Sequence, residues 1–119
     1  FPSQAQAIIA SDAFIAENPE AVRGFVRATL RAINDIVADP AQAAQDYVGF
    51  LPRHAESVAQ IERIMQMYVS NVYAQDGDRP LGAFDPAQLQ TAEDFYVANE
   101  LVTSRVEVED AYTNQFVTE

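Results

Sequence analysis

Three dipeptides do most to limit what this chain can fold into: Asn18-Pro19, Asp39-Pro40 and Asp85-Pro86. In each, the Asn or Asp oxygen can accept from the orphan amides of a first helical turn. Proline then takes the first helical position, where the N–H it lacks has no partner in any case. Glu20 adds negative charge in the first turn after Asn18, where the helix dipole favours it. A chain with three such starts in 119 residues is mainly helical.

The apolar spacing between these starts agrees. From about Pro19 to Val37, the residues Val22, Phe25, Val26, Leu30, Ile33 and Val37 recur at intervals of three and four, which puts them on one helical face. Asp39-Pro40 ends that helix and opens a shorter one through Tyr47 and Val48, punctuated by Gly49 and Pro52. A third helix, from about Ala55 to Tyr73, carries Val58, Ile61, Ile64, Met65, Tyr68 and Val72 on one face. Residues 75–80 form a polar loop. The fourth helix starts at Pro86 with Leu89, Ala92, Phe95 and Tyr96 facing a core, and the tail holds a short helical turn around Ala111-Tyr112. Ala7-Ile8-Ile9-Ala10 reads as a brief buried strand, although four residues do not exclude a helical start. The expected fold is four to five helices with at most one short strand, residues 1–119 forming a single helical unit.

Charge removes several function classes. With 18 acidic and 7 basic residues the formal charge is −11, every cation is an arginine, and the pI is near 4.2. Such a field opposes a nucleic-acid or anionic-membrane surface. Zero cysteines exclude disulfides, thiolate catalysis and cysteine metal sites, and leave the compartment open. No apolar run approaches the roughly 20 residues of a membrane span, and the first residues do not read as a signal peptide. At 49% hydrophobic, the chain is too apolar to be disordered.

The residues offer little chemistry. His54 is the only histidine, so a dyad or metal site has no second imidazole or thiolate to draw on. No HExxH, phosphate-binding glycine loop or nucleophile elbow occurs. Arg23, Arg27 and Arg31 stack along one helical face, as an anion or docking stripe or, more simply, as a solvated face. The acid pairs Asp76/Asp78 and Glu93/Asp94 match no calcium loop or glycosidase pair and are expected in solvent. The aromatic residues Tyr47, Phe50, Tyr68, Tyr73, Phe95, Tyr96, Tyr112 and Phe116 are spaced mostly as core. Tyr112-Thr113-Asn114-Gln115 is rich in hydrogen-bonding groups and is expected to tie down the C-terminus. These residues call for no catalytic site, no metal and no cofactor.

Function comes from resemblance. The stretch from Ile8 to Ala28, with Ser11-Asp12-Ala13-Phe14-Ile15-Ala16-Glu17-Asn18-Pro19-Glu20 at its centre, resembles the C-terminal part of ABC-importer substrate-binding proteins. The group is the one that binds thiamine pyrimidine precursors, nitrate, sulfonates and taurine. Phe84–Tyr96 fits the same group in the same order, and Val108–Val117, with Tyr112-Thr113-Asn114-Gln115-Phe116, is most similar to its thiamine-pyrimidine branch. The resemblance implies the C-terminal portion of an α/β type II periplasmic binding protein whose two lobes close on a small molecule. It implies a periplasmic or extracellular protein, secreted or lipid-anchored, with importer membrane subunits as partners and no enzymatic activity. Ser3 and Gln4, near the implied crossover between lobes, are the ligand-binding candidates. The group also includes a thiamine-pyrimidine synthase, which is the alternative, alongside a free-standing helical interaction module. A piece of a larger lobe is expected to expose an apolar face and to be capable of dimerising through it.

Overall fold

The computed structural model describes residues 6–74 and 77–118. Five helices follow in order: α1 (Asp12–Glu17), α2 (Pro19–Ala38), α3 (Pro40–Phe50), α4 (Val58–Asn71) and α5 (Pro86–Ala98). Short 3-10 turns occupy Pro52–Ser57 and Val108–Asp110. The fold is mainly α, and no strand forms among the described residues.

Two of the three Asx-Pro starts cap as expected. Asp39 accepts from the Gln42 amide at 3.0 Å, Asp85 from the Ala87 amide at 2.9 Å, and both prolines sit in the first turn. At the third start the Asn18 carbonyl accepts from the amides of Ala21 and Val22. The helix α1 was not expected. Ser11 caps it by accepting from the Phe14 amide at 3.2 Å, and the Asn18 amide closes its end on the Phe14 carbonyl. Ser11-Asp12 was the available signal, a capping residue followed by an acid in the first turn.

Two expectations need correcting. Among the described residues Ala7–Ala10 is neither strand nor buried, and Ile9 is 94% exposed. A ladder needs a neighbour, and none is present among the described residues. The third expected helix begins later, at Val58, because Pro52–Ser57 winds as a 3-10 turn. It ends at Asn71, where the amides of Val72 and Tyr73 both close on the Tyr68 carbonyl.

The described chain falls into two compact units. One comprises the chain up to Val26 together with Gly82 onward. It contains the buried residues Val22, Val26, Ala92, Val108 and Phe116. In it α5 packs on the Val108–Asp110 turn. The other runs from Arg27 to Leu81 and is organised around α3 against α4, with Ala44 wholly buried. A methyl side chain at that position lets two helices approach closely.

The apolar faces are amphipathic as read but largely uncovered. No residue of α4 is buried, Ile64 and Met67 are exposed, and on α2 both Phe25 and Val37 are exposed. The expected aromatic core reduces to Phe116; Phe50 is 87% exposed and Tyr47 is also open. Periodicity specifies which side of a helix is apolar, whereas burial requires a second surface to meet it.

Candidate functional site

One concave feature of the first unit is a groove of about 580 Å³. Ala7–Ala10 forms one wall, α1 contributes Ile15 and Ala16, and Phe84 and Phe116 bring aromatic surface. The polar residues along it are Asp12, Asp110, Tyr112, Thr113 and Gln115, and no arginine is among its described lining residues.

Hydrogen bonds that are local in space but distant in sequence hold these walls. The Asn114 side chain accepts from the Phe84 amide at 2.9 Å and donates to the Phe84 carbonyl at 3.0 Å. The Phe84 and Tyr112 rings then meet with centroids 5.8 Å apart at a tilt of 58°, within the favourable range for aromatic pairs. Arg23, reaching from α2, stands over the buried Phe116 ring at 5.5 Å, a cation–π distance. The segment Tyr112–Gln115 therefore ties down the C-terminal tail, as its composition suggested.

A second cluster anchors the chain beyond α5. Arg105 bridges Glu93 at 3.1 Å and also pairs with Asp94, while Glu93 Oε1 accepts from the Val106 amide at 2.6 Å. This corrects the reading of Glu93 and Asp94 as simply solvated. Adjacent helical carboxylates diverge, but a returning chain can present one guanidinium to both. The Glu93 side chain is only 11% exposed. The Val106 amide, and then Gln90 and Arg105, hold its carboxyl below the usual range. The Arg105 hydrogen bond does the same for Asp94, and the two acids in turn raise Arg105. In the other unit, partial burial and the neighbouring Tyr68 raise the Tyr73 phenol; the two rings lie 5.6 Å apart.

The remaining candidates disperse. Ser3 and Gln4 lie outside the described residues. His54 sits in the 3-10 turn after α3, where its Nε2 accepts from the Arg53 guanidinium at 3.1 Å and its ring lies 5.8 Å from Tyr47. Arg27 and Arg31 are exposed, as a solvated face requires, whereas Arg23 pairs with Glu20 at 3.5 Å and covers Phe116. No group of three or more His, Cys, Asp or Glu among the described residues could hold a metal ion. No helix among them is long and apolar enough to cross a membrane.

Comparison with known proteins adds what the geometry lacks. Residues 3–43 match the family model described as NMT1/THI5 like, a stretch that includes all of α1 and α2. The chain is 35% identical to the riboflavin-binding protein RibY of Chloroflexus aurantiacus, over 98% of its own length and 34% of that protein. Residues 3–43 thus resemble the NMT1/THI5-like proteins.

Other relatives carry enzyme names. The 4-amino-5-hydroxymethyl-2-methylpyrimidine phosphate synthase THI12 of Saccharomyces cerevisiae is 36% identical over 55% of the chain and 20% of the synthase. The corresponding synthase of Aspergillus parasiticus is 50% identical over 37% of the chain and 13% of its own length. The chain thus spans about a third of RibY and a fifth or less of these synthases. No solved structure matches it significantly. These relationships agree with the thiamine-pyrimidine, nitrate and sulfonate-binding group to which the sequence is similar.

Proposed function

We propose that this chain is the C-terminal portion of the substrate-binding component of an ABC importer, a two-lobed type II binding protein that closes on a small molecule. The observation that carries this reading is the alignment of 98% of the chain with one continuous third of a riboflavin-binding protein. In such a protein the ligand stabilises the closed state, and the importer's membrane subunits respond to that closure. The setting is the periplasm or cell exterior, with the protein secreted or lipid-anchored.

The ligand class proposed is a flat nitrogen heteroaromatic. Riboflavin and aminopyrimidine, the compounds in the relatives' names, share a planar ring with hydrogen-bonding edges. Such a ligand is held by apolar faces and a few convergent polar groups. A thiamine pyrimidine precursor therefore fits better than nitrate or a sulfonate; this chain's groove offers an anion no arginine among its described lining residues. Ser3 and Gln4 remain the proposed contacts near the lobe crossover.

Isothermal titration of the protein from its complete reading frame, with riboflavin and with 4-amino-5-hydroxymethyl-2-methylpyrimidine, tests the reading. Micromolar or tighter binding of one of them is expected for that protein, and none for residues 1–119 alone. Tight binding by the 119-residue chain, or no binding of either compound by the complete protein, counts against it. A second reading, a fragment of a pyrimidine synthase, is favoured by the yeast and Aspergillus matches. It predicts that the complete protein forms the pyrimidine phosphate rather than merely binding a ligand.

A further inference from the structure

We draw no further inference here: the strongest candidate, the open apolar face of α4 on which Ile64 and Met67 stand exposed, carries nothing, because no observation in the structure shows what covers it.

Discussion

Asn114 satisfies both backbone groups of Phe84, thirty residues away in sequence, through one side-chain amide. A single carboxamide carries a donor and an acceptor in fixed geometry, so only Asn or Gln can make both bonds at once. The pairing holds the tail to the loop that launches α5, one residue before the capping Asp85. It also aligns Tyr112 against the Phe84 ring.

Removing that amide has a definite cost. Asn114→Ala leaves a partly buried N–H and C=O without partners, and should destabilise the first unit by about 2 kcal/mol. Asn114→Asp keeps the acceptor but places carboxylate oxygen near the Phe84 carbonyl, and should recover little. Denaturant unfolding gives the energy, and exchange of the Phe84 amide should accelerate in both variants.

The clamp of Glu93, Asp94 and Arg105 makes part of the stability depend on acid. Both carboxyls lie below their ordinary values of 4.5 and 3.8 in the folded chain. Their contribution is therefore complete above those values, and is lost as the pH falls through the lower, folded ones. An NMR titration should show the Val106 amide signal constant at neutral pH and moving only below the ordinary glutamate value of 4.5. In Glu93→Gln the large shift of that amide should disappear. A Val106 signal that instead moves between pH 5 and 7 refutes the arrangement.

Glu100 ends α5 in the left-handed region, with φ of 56°. The Leu101 amide closes on the Tyr96 carbonyl and the Glu100 amide on that of Val97, the two bonds of a Schellman ending. Glycine is the usual residue at this position, and a glutamate side chain there also faces the negative end of the helix. Glu100→Gly should stabilise the chain by about 1 kcal/mol, raising the melting temperature by several degrees. A fall in the melting temperature would contradict the assignment.

Phe116 and Arg23 differ in what they contribute. Phe116→Ala removes a buried ring and should cost about 3 kcal/mol. Arg23→Ala removes a half-exposed cation from that ring and should cost about 1 kcal/mol. If Arg23→Lys retains most of the stability, the charge over the ring matters more than guanidinium stacking. Thermal unfolding of the three variants separates these effects.

Helix starts were the most legible features, because an Asx side chain, a proline and a first-turn acid act within four residues. Asp39 and Asp85 cap as their neighbours imply. The short α1 was missed for a related reason: it lacks a proline, and six residues give too little periodicity to read. Ala7–Ala10 was misread because an apolar run records what a segment can bury, and the burying surface is not among the described residues. Pairings such as Glu93 with Val106 and Arg105 left no trace in the local pattern.

For the candidate site, the motif Tyr112-Thr113-Asn114-Gln115-Phe116 announced an anchoring tail, but neither its partner nor the groove it shapes. The sequence by itself determined the helical character, two of the capped starts, the apolar face of each helix and the resemblance to the thiamine-pyrimidine, nitrate and sulfonate-binding group. These depend on interactions spanning a few residues, or on residue identities directly. Only the tertiary structure decided that Asn114 grips Phe84, that Arg105 gathers two acids, and that Ile8 and Ile9 stand beside an open groove. Those outcomes depend on which distant segments the chain brings within about 3 to 6 Å of one another, and no local spacing encodes that.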